Sequence, residues 1–188
     1  MYGIQLMYYI SASSHGVGVA ATHSTLHFNG LRTVRDNSAH SGGGFYIDDS
    51  TIGMAGKNCF MNNTATSEGG AIYFGDCQVE LRGKNMFVAN TAGNKGAGIH
   101  TPLTTLILQG NSCFVNNSAN YGGGIQSEGS NLTFVSQETS HYMNFTSTVQ
   151  PAMRSQTLHF SLTAVSSTTQ LTEVEHFTWT NTQISALI

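Results

Sequence analysis

A sequence pattern that recurs every 26 or 27 residues is the feature that most constrains the fold of this chain. Each copy has an aromatic or aliphatic residue, two variable residues and an asparagine, followed by an alanine and a glycine cluster; the copies begin at Val34, Phe60, Phe87 and Phe114. A fixed period of this length is typical of solenoids, in which each repeat buries its apolar face only by stacking on its neighbours. The sequence therefore predicts a repeat architecture.

Each repeat contains the pattern of three short strands. Apolar residues two apart, such as Leu26 and Phe28, place both side chains on one face of a first strand. Gly30 and its equivalents predict a turn, because glycine tolerates positive φ. A second strand carries the Val/Phe column, and a third begins at Phe45 in the first copy. This path predicts an all-β fold, a single-stranded parallel β-helix with coils of 26–27 residues.

Equivalent positions of successive coils then stack about 4.8 Å apart and form ladders. The predicted ladder residues are Phe60, Phe87 and Phe114; Asn37, Asn63, Asn90 and Asn117; and Ile72, Ile99 and Ile125. An asparagine amide both donates and accepts, so stacked asparagines can bond one another and the turn backbone. A leucine-rich repeat is the alternative solenoid, since Leu106, Leu108 and Asn111 fit its core motif. That motif is weaker in the other copies and leaves the glycine step unexplained.

The pattern predicts two parts of the chain, with regular coils over residues 1–130, of which the first is incomplete, and a Ser/Thr-rich part over 131–188. Disorder is one reading of the second part. The phase favours degenerate coils that continue to the end, because first-strand positions then fall on Leu132, Leu158 and Ile184. Pro151 marks a weak rung, since it cannot donate to a ladder. Neither end has a polar cap, so we expect a fragment of a longer protein or an incomplete gene model.

Composition and short motifs bear on the partners and the compartment of the chain. Charged residues make up only 9%, and the net charge of −3 does not favour nucleic-acid binding. No apolar run reaches the roughly 20 residues of a transmembrane helix.

Four candidate glycosylation sites suggest an extracellular setting: Asn62, Asn116, Asn131 and Asn144. Three cysteines cannot all pair, and Cys59 and Cys113 fall two coils apart. That spacing of about 9.6 Å is too long for a disulfide, so we expect free cysteines.

The weak catalytic candidates form an acidic strip at the turn between third and first strands: Asp48, Asp49, Asp76 and Glu128. Carboxylates held together can cleave a glycosidic bond by acid–base catalysis or can bind Ca²⁺. The alternative is structural, because aspartate caps and solvates exposed turn backbone. The strip also lacks the Lys and Arg that a lyase needs. On one strand, His23 and His27 would lie about 13 Å apart, too far for one ion. We therefore expect neither a metal nor a cofactor.

The paired signatures Phe-x-x-Asn and Gly-Gly-Ala-Ile, cleanest at Phe60–Asn63 and Gly69–Ile72, resemble the repeat of the chlamydial polymorphic outer-membrane proteins. Similar repeats occur in right-handed β-helix proteins of other lineages, and residues 34–125 carry the resemblance here. The resemblance implies a right-handed β-helical surface domain and, for the bacterial family, an adhesin passenger.

The sequence thus predicts a non-enzymatic secreted or surface β-helix, located at the outer membrane if bacterial, that serves adhesion or presents a face to protein or glycan ligands. The alternative is a carbohydrate-active enzyme of the pectin-lyase-like type that uses the acidic strip. A third possibility is an incomplete gene product without an independent function.

Overall fold

A computed structural model describes residues 4–8, 15, 18–136 and 157–162 of the chain. Fifteen β-strands in these residues form three sheets, and every paired strand runs parallel to its neighbours. The described part of the chain holds no helix of the length and apolarity needed to cross a membrane.

The strands, numbered in chain order, divide among a seven-stranded, a three-stranded and a five-stranded sheet. The first sheet contains β1 (Ile4–Tyr8), β3 (Thr25–Arg35), β6 (Thr51–Met61), β9 (Gln78–Val88), β12 (Thr105–Val115), β14 (Asn131–Ser136) and β15 (Thr157–Leu162). The second contains β4 (Ser38–Ala39), β7 (Thr64–Ala65) and β10 (Thr91–Ala92). The third contains β2 (Val19–Thr22), β5 (Phe45–Asp48), β8 (Ile72–Gly75), β11 (Ile99–Pro102) and β13 (Ile125–Glu128).

The chain visits the three sheets in turn and advances by one strand in each sheet per coil. Thr25 pairs with Thr51, Thr51 with Gln78 and Gln78 with Thr105, so the strand register follows the sequence period. Each new coil therefore covers the open edge of the one before it. The predicted all-β, right-handed parallel β-helix is confirmed.

The structure differs from the prediction in how each coil divides into strands. Gly30 and its equivalents do not separate two strands, because an 11-residue strand such as β3 runs through the glycine without a break. Gly30 and Gly56 have φ of 106° and 96° and are paired with each other. A side chain at Gly56 would collide with the carbonyl oxygen of Gly30. The glycine column bends the strand, and the strand pairing continues on both sides of it. Between β6 and β9 the pairing is interrupted at Ala55 and Gly56 and resumes at Lys57. The second strand of each coil is the two-residue segment that follows, such as β4.

The core is a column of side chains that point into the coil. Phe60, Phe87 and Phe114 are fully buried. The rings of Phe60 and Phe87 stack with centroids 5.2 Å apart at 4°, and those of Phe87 and Phe114 stack 4.6 Å apart at 5°. Ile72 and Ile99 are fully buried beside them, and the half-buried Ile125 packs against the same cluster. Near-parallel rings at this spacing follow from parallel strands about 4.8 Å apart.

Beyond residue 130, two strands extend the first sheet. Leu132 of β14 pairs with Leu106, and Leu158 of β15 pairs with Leu132. These pairs lie at the positions that the sequence phase indicates. Pro151, Asn144 and Ile184 lie outside the described residues, so the division into regular coils over 1–130 and degenerate coils over 131–188 stays a prediction.

Candidate functional site

The asparagine ladder lies inside the coil and binds neighbouring coils together. The Nδ2 group of Asn63 donates to Asn90 Oδ1 at 3.1 Å and to the carbonyl oxygen of Val34 at 3.0 Å. Asn37 donates to Asn63, and Asn90 donates to Asn117, in the same way. Asn63, Asn90 and Asn117 each donate to a backbone carbonyl oxygen in a buried setting, where an unpaired polar group would be costly. This buried column joins neighbouring coils and is not accessible to ligands.

Arg32, Asn58, Asn85 and Ser112 form a second buried polar ladder, which the sequence analysis does not predict. Asn58 Nδ2 donates to Asn85 Oδ1 at 2.8 Å, and Asn85 Nδ2 donates to Ser112 Oγ at 3.3 Å. Arg32 begins the column, donates to Asn58 and lies 4.7 Å over the Phe28 ring. Burial lowers the pKa of Arg32. The signal was present, because these polar residues recur at the repeat period five residues before the asparagines of the first ladder.

The four acidic candidates fall on two different columns of the turn. Asp49 and Asp76 occupy equivalent positions of neighbouring coils, and both have positive φ. They line one open depression together with His23, Ser24, Thr25, Ser50, Thr51 and Gln78. Asp48 and Glu128 belong to the adjacent column, where Gly75 and Pro102 separate them. The structure therefore brings Asp49 and Asp76 to one place and leaves Glu128 apart from them.

Basic side chains contact two of these carboxylates. His23 Nδ1 lies 2.6 Å from Asp49 Oδ2 at an exposed position. Lys95 Nζ lies 2.7 Å from Glu128 Oε1, so the Glu128 carboxylate is paired with Lys95. A hydroxyl column beneath the turn fixes the backbone; for example, Ser50 Oγ donates to the carbonyl oxygen of Asp48 at 2.7 Å. Cys77 continues that column, and its buried thiol donates to the carbonyl oxygen of Gly75 at 2.9 Å.

A second charged site, which the sequence reasoning missed, lies near the corner between the second and third strands of each coil. We call Glu68, Lys95, His100 and Glu128 the Glu–Lys–His cluster. Glu68 and Lys95 are bridge partners on neighbouring coils. Lys95 Nζ lies 3.8 Å from Glu68 Oε1, and His100 Nε2 lies 3.8 Å from Glu68 Oε2. The coil period alone aligns Glu68 with Lys95, but only the structure shows that His100 and Glu128 reach them.

Burial and charge set the protonation of this cluster. His100 is only 2% exposed, and burial lowers its pKa to about 4. The imidazole is therefore neutral at pH 7. The hydrogen bond with Glu128 raises the pKa of Lys95, so the ammonium keeps its proton. His100 Nδ1 has no hydrogen-bond partner among the described residues.

An aromatic row runs along the same face and ends at the cluster. The Tyr46 and Tyr73 rings stack 4.8 Å apart at 10°, and Tyr73 stacks on His100 at 5.5 Å and 29°. His15 covers the other side of Tyr46 at 4.5 Å. Burial raises the pKa of Tyr73 to about 12, so both tyrosines keep their hydroxyl protons at neutral pH. Since each ring covers its neighbour, the row presents ring edges to solvent.

The remaining predicted residues lie at separate places. Asn62, Asn116 and Asn131 are exposed, whereas Asn144 lies outside the described residues. Cys59 and Cys113 are half-buried free thiols with Met86 between them in the column. Within the described ranges, no group of three or more His, Cys, Asp or Glu side chains is placed to hold a metal ion.

One short stretch of the chain matches a known protein family. Residues 59–75 match the family model of the Chlamydia polymorphic membrane protein repeat. The match begins near the end of β6, passes through β7 and ends with β8, and it contains Glu68. The predicted repeat family is thus confirmed over these residues. No curated protein and no solved structure matches the chain.

Proposed function

We propose that this chain is a non-enzymatic β-helix domain of a secreted or cell-surface protein, at the outer membrane if bacterial. Its lateral face binds a protein or glycan partner and thereby serves adhesion. The matched repeat and the solenoid fold support a surface location, since both fit a surface β-helix domain.

One observation carries the choice of a binding face. Parallel register gathers polar groups from successive coils onto one lateral surface, where Tyr46, Tyr73 and His100 form a row beside the Glu–Lys–His cluster. The Glu68 carboxylate oxygens lie 3.8 Å from Lys95 Nζ and 3.8 Å from His100 Nε2, beyond direct hydrogen-bond distance of either. Convergent, partly desolvated polar groups of this kind are characteristic of binding sites.

A cell-binding assay with the folded 188-residue chain tests the proposal. We expect the immobilised protein to capture cultured cells, and the charge reversal Lys95→Glu to reduce capture because it places a third carboxylate between Glu68 and Glu128. Lys84→Glu makes the same change at an exposed position on β9 and should leave capture intact. Equal capture by folded and heat-unfolded protein, or no capture on any cell type, would refute the proposal.

The alternative function is polysaccharide cleavage at the acidic turn, and the shared depression of Asp49 and Asp76 supports it. This activity would release reducing ends from polygalacturonate or from a neutral polysaccharide such as xylan. Asp49→Ala and Asp76→Ala should each abolish that release, whereas Asp36→Ala, at a turn aspartate of similar positive φ, should not. Absence of any variant-sensitive cleavage would eliminate this alternative.

A further inference from the structure

We propose that a second copy of this chain docks beside the first and sets a pair of aspartates against a pair of lysines. Lys57 and Lys84, here the lysine pair, lie on the outer face of the first sheet beyond the glycine bend. Asp49 and Asp76, here the aspartate pair, lie at the turn that precedes the same two strands. The inference goes beyond the proposed function, which rests on the Glu–Lys–His cluster and on none of these residues.

The lysine pair places two like charges side by side. Lys57 of β6 pairs directly with Lys84 of β9, and both side chains are exposed. Like charges at opposed positions of neighbouring strands repel each other. Within the described residues neither lysine has a carboxylate partner, and the neighbouring Arg82 is already paired with Glu80. The pair therefore offers two ammonium groups to an anionic partner.

The aspartate pair matches the lysine pair in spacing. Asp49 and Asp76 precede Lys57 and Lys84 by eight residues each, so the same two coils carry both pairs. Neighbouring strands lie about 4.8 Å apart, and each pair therefore spans about one strand spacing. A second copy with a parallel coil axis can set each aspartate against one lysine at the same time.

The aspartate pair is accessible to such a copy. Both side chains are exposed, and Asp49 stays 59% exposed although it contacts His23. Asp76 has no basic partner in the described part of the chain. Opposite charges at matched spacing thus make the chain complementary to itself.

Exposed apolar side chains flank the two pairs. Leu31 and Leu103 are the exposed large apolar residues of the described ranges, at 37% and 67%. Leu31 pairs with Lys57 along the outer face, and Leu103 follows Asp76 at the equivalent turn position of the next coil, with a similar positive φ. A copy aligned on the charges places the two leucines toward the ends of the contact, where both lose exposure to water.

The contact is heterologous, because the two surfaces that meet are different. Each copy carries both pairs, and they lie at separate places along the coil. A copy bound through its aspartate pair still presents its lysine pair to a third copy. Copies can therefore add on either side and form a lateral row of parallel β-helices.

Sedimentation velocity of the folded 188-residue chain tests the inference. We expect the sedimentation coefficient to rise with protein concentration at about 50 mM NaCl, and this rise to shrink at about 500 mM, because salt screens exposed charge pairs. Lys57→Gln combined with Lys84→Gln should weaken association by about tenfold, the effect of two exposed charge pairs. Asn116→Asp combined with Asn120→Asp is the matched control, because it makes the same change in net charge at exposed positions outside both pairs. The control should associate like the wild type.

Charge exchange separates a specific contact from an effect of net charge. One variant carries Lys57→Glu and Lys84→Glu, and the other carries Asp49→Lys and Asp76→Lys. Each should associate less than the wild type, and their mixture should associate again because the reversed pairs attract each other. Leu103 adopts φ of 53° at the equivalent turn, so a long side chain is compatible with this backbone, and circular dichroism checks the folding of each variant.

Three outcomes would overturn the inference. The first is a wild-type chain that stays monomeric at every concentration in low salt. The second is association that the two glutamine substitutions leave unchanged, and the third is a mixture of the two folded charge-reversed variants that does not associate. The first two need no charge-reversed variant, so they decide the question even where a reversed chain does not fold.

Discussion

Asn90 Oδ1 accepts two hydrogen bonds from Asn63 on the preceding coil, one from the side-chain Nδ2 at 3.1 Å and one from the backbone N–H at 3.0 Å. Asn90 Nδ2 in turn donates to the carbonyl oxygen of Phe60 at 3.1 Å. Both asparagines are fully buried. Asn90 Nδ2 also donates to Asn117 Oδ1 at 2.9 Å. One amide therefore satisfies four buried polar groups, and this links the period of the sequence directly to the cohesion of the solenoid.

We expect Asn90→Ala to lower the free energy of unfolding by about 3 kcal/mol or more, because it leaves buried donors and an acceptor without partners at about 1–3 kcal/mol each. Urea unfolding followed by circular dichroism measures the change. Asn120→Ala removes an exposed amide that bonds only the carbonyl oxygen of Gly93, and should cost within about 0.5 kcal/mol. Equal losses in the two variants would contradict the structural role of the ladder.

Gly56→Ala should destabilise the coil strongly, by about 2 kcal/mol or more, since φ at Gly56 is +96° and the new Cβ would meet the backbone oxygen of Gly30. Gly53→Ala lies three residues earlier in the same strand and serves as the matched control. Its Cβ would meet only the exposed His27 side chain, at 2.9 Å, which can move aside. We expect that change to cost less than about 1 kcal/mol. The melting temperatures of the two variants are compared. Similar values would show that Gly56 has an ordinary strand conformation and not the bend of the structure.

The three cysteines should differ in reactivity toward iodoacetamide at pH 8. Cys77 is fully buried, burial raises the pKa of its thiol to about 11, and the thiolate is the reactive form. Cys59 and Cys113 are half-buried and accessible from outside the coil. Mass spectrometry of the folded protein should show alkylation at Cys59 and Cys113 while Cys77 stays protected until urea unfolds the chain. Early alkylation of Cys77 would contradict the packing beneath the turn.

The fold could be predicted from the sequence because the strand register of a solenoid equals the period of its sequence repeat. The spacing of Phe60, Phe87 and Phe114 alone places three rings in one column, and the strand pairs follow it residue by residue. At Gly30 the sequence predicts a turn where the structure has a bend within one strand, because positive φ in glycine fits both. Only the hydrogen-bond pattern across coils distinguishes a bent strand from two strands.

The candidate site was harder to predict because it depends on side-chain direction. The sequence places Glu128 on the acidic turn, but its carboxylate pairs with Lys95 and does not line the depression of Asp49 and Asp76. His100 has no distinguishing sequence signal, since its equivalents are tyrosines and a glutamine. Its importance comes from burial beside Glu68 and from a nitrogen without a partner in the described part of the chain, and a one-dimensional pattern records neither.

His100 should make the stability of the coil depend on pH. Its pKa is about 4 in the folded protein, against about 6.5 in an unfolded chain. Between these values the unfolded chain binds a proton that the folded protein does not, so stability is fully present above pH 6.5 and falls as the pH drops toward 4. The difference between the two pKa values corresponds to a loss of about 3 kcal/mol in the free energy of unfolding below pH 4.

His100→Tyr continues the stacked row of Tyr46 and Tyr73 without this titration and should flatten the profile of melting temperature between pH 4 and 6.5. His27→Gln changes a histidine that is exposed to solvent and should leave the wild-type profile in place. If His100→Tyr kept the full acid sensitivity, the loss would have to come from the carboxylates, and the buried neutral imidazole would not be its cause.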